Sequence, residues 1–366
     1  MSSSDRLDRI EVRGFKSIRE MDLKLRPLNV LIGANGAGKS NFVAVFELLN
    51  QIIEGNLQVH VARAGFADAL LHFGSKVTRE ISLTLHFGRN GYQARLAPSA
   101  EGGILFFVAE ECWYHGPGYD RPYEVPLGTA HRETRLYEEA RTHPGGIASY
   151  VLKTLKSWKV YHFHDTSHSA RMKQAGDVND NAFLRDDASN LAAYLYLLRE
   201  TQREHYDRIV GTIRLAAPFF DDFDLKPSPF NPDKILLEWR QRGTDSYFGA
   251  SSLSDGTLRF ICLTTLLMQP TLPSMILIDE PELGLHPYAI VLLAEMLKSA
   301  ATQTQVIVST QSVPLVSQFA PEDVIVVEQQ AGESAFRRLD SQSIEAWLEE
   351  YSLGEIWEKN LIGGTP

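Results

Sequence analysis

The sequence predicts an α/β fold built on a largely parallel sheet with helices on both faces. Three observations predict it. Residues Gly33 to Ser40 read G-A-N-G-A-G-K-S, two glycines bracketing four residues before Lys and Ser. Ser274-Met275-Ile276-Leu277-Ile278-Asp279-Glu280 is an apolar strand that ends on two carboxylates. Between 258 and 310, continuous apolar strands alternate with helical stretches, the pattern of a sheet covered on both sides.

Along the chain, residues 7–13 and 20–25 alternate apolar and polar around Gly14-Phe15-Lys16-Ser17 and read as an antiparallel pair. Leu28-Asn29-Val30-Leu31-Ile32 is a short β-rich run that ends at the glycine loop. Asn41 to Ile53 then places Phe42, Val45, Phe46, Leu49, Ile52 and Ile53 at helical spacing. Residues 80–87 and 92–96 read as a hairpin turned by Asn90-Gly91, and 103–109 as another strand.

From about 110 to 217 the texture changes. Gly116 to Arg121 is loop-like, 132–141 and Ala148–Trp158 read as helices, and Ala188–Leu215 carries long helical periodicity. The segment reads as a mainly helical lobe inserted into the core. Beyond it, Ile235–Arg240 is a strand, Leu258–Met268 a helix and Met275–Asp279 a buried strand. Pro287–Ala300 is a helix with Pro in its first turn, Val306–Thr310 a buried strand and Ser343–Glu350 a short acidic helix. The expected divisions are 1–109 and 218–330 for two parts of one core, 110–217 for the lobe and 331–366 for a tail.

Strand, glycine loop and helix together are the setting of a phosphate-binding loop, which a chance glycine-rich turn lacks. Glycines let backbone N–H groups turn inward, and the helix start turns its positive end to the bound anion. Lys39 reaches the outer phosphates and the Ser40 hydroxyl ligates magnesium. The expected ATP-binding residues are Gly33, Ala34, Asn35, Gly36, Ala37, Gly38, Lys39, Ser40 and Asn41. Asp279 is expected to hold the magnesium ion, and Glu280 to orient the attacking water or take its proton. An ordinary strand ending in surface acids is the blander alternative, and the phosphate loop weighs against it. The core is therefore read as a P-loop NTPase.

Composition narrows the class. The chain has 366 residues, 44% hydrophobic and 22% charged, as in globular proteins generally. No apolar run reaches membrane-spanning length. The polar, acidic Met1–Asp8 stretch does not read as a signal peptide, so a cytoplasmic protein is expected. Cys112 and Cys262 lack paired spacing. A net charge of −10 argues against a surface coated for non-specific DNA binding, though one local basic patch is compatible with it.

Leu253-Ser254-Asp255-Gly256-Thr257 precedes a helix and lies about 20 residues before the acidic strand. With this motif the chain resembles the ABC-type ATPases, including the SMC and RecF groups. Val12-Arg13-Gly14-Phe15-Lys16-Ser17-Ile18 and Glu280-Pro281-Glu282-Leu283-Gly284-Leu285-His286-Pro287 resemble RecF-like and OLD-like ATPases more than transporters. The resemblance implies an ABC/SMC-type ATPase head with an antiparallel β-subdomain and an inserted lobe. It also implies a homodimer with ATP sandwiched twice, in which Ser254, Asp255 and Gly256 cap the γ-phosphate held by the other subunit. Arg13 or Lys16 would face the nucleotide. Gln311 stands where the family commonly has a γ-phosphate-sensing His; it can donate an amide hydrogen bond but not titrate, which implies slow hydrolysis. Candidates for the family's magnesium-contacting glutamine position are Gln51 and Leu71-His72-Phe73-Gly74. OLD proteins follow their ATPase with a metal-dependent Toprim nuclease domain. The 55 residues after Gln311 are too few for one, so nuclease chemistry is expected of a separate partner.

Weaker constellations have plain surface roles as their alternative. His162, His164, Asp165 and His168 could suggest a metal centre, but a polar strand end is the preferred reading. Lys153, Lys156 and Lys159 with Trp158, the arginines 199, 203, 208 and 214, and Arg6, Arg9, Arg13, Lys16 and Arg19 could touch DNA phosphates; such runs are usually solvated faces. Trp347, Tyr351 and Trp357 could dock a partner or pack on the core. The resulting expectation is a Mg-dependent ATPase whose dimer switches DNA-linked processes: repair, genome maintenance or antiviral defence. The alternatives are an ATP-binding regulatory subunit that gates a toxic partner, and a transporter ATPase subunit.

Overall fold

The computed structural model describes residues 6–118 and 120–364. In chain order, β1 (Arg9–Phe15), β2 (Ile18–Lys24) and β3 (Leu28–Ile32) lead to α1 (Lys39–Ile53), α2 (Leu57–Arg63) and α3 (Phe66–Leu70). Next come β4 (Ile81–Phe87), β5 (Asn90–Pro98), β6 (Leu105–Tyr114) and β7 (Tyr123–Gly128). Helices α4 (Leu136–Thr142) and α5 (Ile147–Lys156), strands β8 (Trp158–Tyr161) and β9 (Gly176–Asp177), and helices α6 (Leu191–Thr201) and α7 (Arg203–Ala216) follow. Then come the short strands β10 (Phe220–Phe223), β11 (Pro227–Ser228), β12 (Asn231–Ile235), β13 (Glu238–Gln241) and β14 (Tyr247–Gly249). The chain continues through α8 (Asp255–Met268), β15 (Met275–Asp279), α9 (Pro287–Ala301), β16 (Gln305–Thr310), α10 (Val313–Val316), β17 (Val324–Gln330), β18 (Glu333–Arg338), α11 (Glu345–Leu348) and α12 (Leu353–Glu358).

The central sheet has the order β18-β17-β3-β16-β15-β8, all parallel except β18. Its strands are apolar on both sides because each side faces a separate core. Leu28, Val30, Ile32, Ile276, Ile278, Val306 and Val308 face α6, α7, α8 and α9. The residues between them in sequence, Leu31, Met275, Leu277 and Ile307, face α1 and α5. Period-2 alternation thus sorts one strand's side chains into two cores. The second core is roofed by the antiparallel sheet β2-β1-β4-β5-β6-β7, whose Ile81, Leu83, Leu85 and Phe87 alternate inward. Between the two sheets lies α1, with Phe42 and Phe46 fully buried and their rings 5.3 Å apart. Each such ring contributes about 2–3 kcal/mol of burial.

Several expected elements shift. Phe87 pairs with Asn90, so the hairpin turns at Gly88-Arg89, where Gly88 takes the positive φ of 61°; Asn90-Gly91 begin the next strand. Segment 110–217 is helical over α4–α7, yet it also supplies β7 to the antiparallel sheet and β8 to the parallel one. The long helical stretch breaks at Gln202 into α6 and α7. The expected 235–240 strand divides, with Ile235 ending β12 and Glu238 opening β13. In the tail, Ser341–Ile344 is a 3₁₀ turn before α11, and α12 buries Trp357 completely.

Candidate nucleotide site

Parallel strands end together at one edge of a sheet, the edge where α/β folds bind ligands. In this sheet Ile32 pairs with Thr310, Ser309 with Asp279, and Ile278 with Tyr161. That register brings Gly33, Gln311, Glu280 and His162, each at or just past a strand end, to the same edge.

The loop Gly33–Lys39 leaves β3 and enters α1. Gly38 is the residue before the helix and adopts φ 115°, and a Cβ there would collide with the Ser334 hydroxyl. Ser334, at the start of β18, donates to the Ala37 carbonyl at 2.7 Å and lies 2.6 Å from the Ser17 hydroxyl; Ser17 accepts from Asn41 Nδ2 at 2.6 Å. The tips of two hairpins therefore clamp the loop from outside, a role the sequence did not signal for Ser17 or Ser334. Lys39 folds back onto the loop, its Nζ donating to the carbonyls of Gly33 at 2.6 Å and Ala34 at 3.0 Å. Burial holds its ammonium below the ordinary lysine range, while Glu280, Asp279 and Glu282 pull it upward.

Across from the loop, Glu280 sits at a positive φ of 43°, and its N–H bonds to the Ser309 carbonyl at 2.7 Å. The Gln311 side-chain amide donates to Asn35 Oδ1 and to Glu280 Oε1, both at 2.7 Å, tying loop to strand end. In the sequence Glu282 stands out only as part of a motif. Its Oε1 accepts from the Thr310 hydroxyl at 2.5 Å and the Gln311 N–H at 3.4 Å, while Oε2 is buried with no partner among the described residues. Burial raises this carboxyl above the ordinary range, against the hydrogen bonds from Thr310 and Gln311. Ser40 is exposed at the start of α1 and Asp279 closes β15. An alcohol and a carboxylate, in a site where three carboxylates act on one lysine, are hard oxygen donors of the kind magnesium takes, with its remaining ligands water and phosphate.

Ser254 caps α8, its hydroxyl accepting from Thr257 N–H at 3.2 Å, and both Ser254 and Asp255 are exposed. Asp255 reaches Lys173 at 3.6 Å. Among the described residues, no hydrogen bond or ion pair of Ser254 or Asp255 reaches Gly33–Ser40. Gly256 packs so closely that a Cβ would strike the Gly284 carbonyl. Arg259, one turn further along α8, is buried; it donates to the carbonyls of Phe163 at 3.0 Å, His164 at 3.3 Å and Leu283, and burial lowers its pKa. One guanidinium thus joins the signature helix, the stretch after β8 and the acidic loop.

Other candidates are placed as follows. Arg13 pairs with Glu20 on β2 at 2.9 Å and is largely exposed. Lys16 occupies the left-handed hairpin tip, φ 48°, beside the clamp residue Ser17, and His72 Nδ1 donates to its carbonyl at 2.7 Å. Gln51 lies towards the C-terminal end of α1, about 16 Å along the helix from Ser40, so it lines a different cleft. His162 pairs with Glu47 of α1 at 3.2 Å, and burial depresses His164 beside Asp279. Among the described residues no group of three or more His, Cys, Asp or Glu could hold a metal ion, and His162 directly follows β8. Trp158 is 3% exposed and belongs to the core, so it is not a surface partner of the lysines. The arginines 199, 203, 208 and 214 bond to Leu225, Asp207, His205 and Asp221. No helix among the described residues is long and apolar enough to cross a membrane.

Comparison with known proteins follows this geometry. A family described as "AAA domain, putative AbiEii toxin, Type IV TA system" matches residues 132–317, and one described as "AAA ATPase domain" matches 6–81. The Old nuclease of Escherichia phage P2 is 23% identical over 387 residues, covering 93% of this chain and 62% of that protein. The chain thus spans less than two thirds of that relative's length. The OLD nuclease of Thermus scotoductus is 30% identical over 81 residues, 22% of this chain and 14% of that protein. An Smc head bound to the C-winged helix domain of ScpA superposes with a TM-score of 0.55 at 17% identity, covering 94% of this chain and 99% of that one. An Smc head with an extended coiled coil, bound to the C-terminal domain of ScpA derived from Pyrococcus furiosus, gives 0.52 at 17% identity, covering 94% and 98%. The shared fold is the ABC/SMC-type P-loop ATPase head.

Proposed function

The chain belongs to the AAA-domain family that matches residues 132–317, as an ABC/SMC-like ATPase related to the OLD nucleases, and from that premise we propose that it binds Mg-ATP, closes as a homodimer around two nucleotides and hydrolyses them slowly. The observation that carries this reading is the Gln311 amide, which spans Asn35 of the loop and Glu280 of the strand end. A γ-phosphate held by the loop would lie between those two residues.

In this reading the loop N–H groups from Ala34 to Ser40 and the start of α1 receive the phosphates. Lys39 exchanges the Gly33 and Ala34 carbonyls for phosphate oxygens, which restores an anionic partner to a desolvated ammonium. Magnesium, held by Ser40 and Asp279, would supply charge neutralisation on the outer phosphates. Glu280 orients the attacking water for in-line displacement, and Gln311 holds Glu280 and donates toward the transferred group. The exposed Ser254 and Asp255, with the half-buried Gly256, serve the partner's nucleotide. That contact favours the closed dimer until hydrolysis removes the γ-phosphate. The output we propose is DNA-linked work in the cytoplasm, with a separate effector or nuclease subunit. Support comes from the OLD nuclease relatives and from Smc heads solved with ScpA bound.

Replacing Glu280 with Gln removes the carboxylate while keeping its shape. Size measurement of Glu280→Gln with ATP should give a dimer, and with ADP a monomer. A monomer under both conditions removes the sandwich, and a dimer under both removes the nucleotide switch. A second reading, a regulatory subunit that holds ATP and gates a toxic partner, is favoured by the non-titrating Gln311. It predicts that DNA or the partner leaves turnover near zero.

A further inference from the structure

A cleft of about 480 Å³ lies away from the phosphate loop. It lies between the C-terminal end of α1, the start of β8 and the loop 183–186, and the mechanism above does not use it. Its volume is in the range of small-ligand sites.

Four features of its wall point to a ligand. Phe183 is 57% exposed, yet its loop is fixed: the buried Asn190 side chain donates to the Phe183 and Asp180 carbonyls at 2.8 and 2.9 Å and accepts from Arg185 N–H at 2.9 Å. A buried amide therefore holds the backbone that carries a solvent-facing ring. Lys159 stands over that ring, 5.8 Å from its centroid, and Lys156 borders the same space. Trp158 lines the cleft between them, and its buried Nε1–H has no acceptor among the described residues. Gln51, Glu54 and Asp186 add groups able to bond ring nitrogens and sugar hydroxyls.

We propose that this cleft is a second ligand site, for a nucleotide unit whose base stacks on Phe183 and whose phosphate meets Lys156 and Lys159. The unit is either a free nucleoside monophosphate or the phosphorylated end of a single strand. A planar ring with an adjacent anion matches an exposed aromatic face flanked by cations. The site is also wired to the first one. The carbonyl of Asp186, in the cleft wall, accepts from His162 N–H at 2.9 Å, and His162 pairs with Glu47 on the helix that begins at the phosphate loop. Occupancy acts on the end of β8 and on α1 together, and so sets the rate at the phosphate loop.

The test is calorimetric titration of the full chain with AMP and with 5′-phosphorylated hexathymidylate. Binding of at least one probe is expected, weakened tenfold or more by Phe183→Ala and by Lys159→Glu, and unchanged by Lys39→Ala, which disables the phosphate loop. AMP alone binding identifies a free nucleotide, hexathymidylate alone a strand end, and both the shared unit. Basal ATP turnover of Phe183→Ala stays at the wild-type value, while the change in turnover on adding the probe is lost. Binding of neither probe, binding lost in Lys39→Ala, or binding indifferent to both cleft substitutions overturns the proposal. ATP turnover abolished by Glu280→Gln is independent of all these outcomes, so failure of the cleft and failure of the ATPase reading are separable.

Discussion

Gln311 joins the loop at Asn35 to the strand end at Glu280 through a single side chain. Its amide makes two 2.7 Å hydrogen bonds, and its backbone N–H is held by Glu282. Gln311→Ala should lower turnover about 100- to 1,000-fold, the scale of losing one positioned donor, with ATP affinity within about threefold of wild type. Single-turnover kinetics and equilibrium binding check the split. Turnover unchanged would remove Gln311 from the chemistry. Glu282→Ala should depress turnover similarly and in addition cost about 2 kcal/mol in denaturant unfolding, because the Thr310 hydroxyl loses its carboxylate. At this scale the sequence was legible wherever the relevant groups are neighbours in the chain. Lys39, Asp279 and Glu280 announce themselves through local spacing. Ser17 and Ser334 do not, since they meet across 317 positions and no local pattern marks either. The role of Glu282 comes from a strand that only the fold brings beside it.

At the scale of elements, α8 and the acidic loop act as one piece. Gly256 abuts the Gly284 backbone, and Arg259 reaches the Leu283 carbonyl. A methyl at 256 meets backbone that cannot rotate away, so Gly256→Ala should cost about 1–3 kcal/mol and disturb Glu280 with it. Ser254→Ala removes an exposed cap and should cost only about 1 kcal/mol. Denaturant titration of the two variants checks the order, and equal costs would show that the loop yields freely. Helix α1 was legible because its apolar positions repeat at helical spacing. The membership of β8 in the central sheet was not. Four residues, Trp158–Tyr161, carry too little pattern to separate a strand from the end of the preceding helix. The break at Gln202 was hidden for the opposite reason: helical periodicity continues on both sides of it.

At the largest scale the molecule is two cores sharing one sheet, and polar links tie the sheet's edge to the central helix. The His162–Glu47 pair is one. The Glu47 hydrogen bond raises His162 above its ordinary 6.5, and the same bond lowers Glu47 below 4.5. The histidine's contribution is complete below pH 6.5 and fades as pH rises through its raised value. The glutamate's is complete above pH 4.5 and fades as pH falls through its lowered value. The pair therefore stabilises most between about pH 4.5 and 6.5. His162→Asn should lower Tm most near the middle of that window and hardly at all at pH 8. Both side chains are about 40% exposed, so the loss is at most about 1 kcal/mol. Thermal melts across pH check it, and a gap that widens toward pH 8 would reverse the assignment.

The position of β3 has a consequence for how the polypeptide is made. Its neighbours in the sheet, β16 and β17, begin about 270 residues further along the chain. At roughly 5–20 residues per second, translation leaves Leu28–Ile32 without either neighbour for roughly 15–55 s. During that interval a mostly apolar segment is open on both sides to other nascent chains, and Ser334, which fastens the loop, has yet to be synthesised. The hazard of premature association is therefore concentrated at Leu28–Ile32, and relief arrives only when Gln305–Thr310 and Val324–Gln330 have been made.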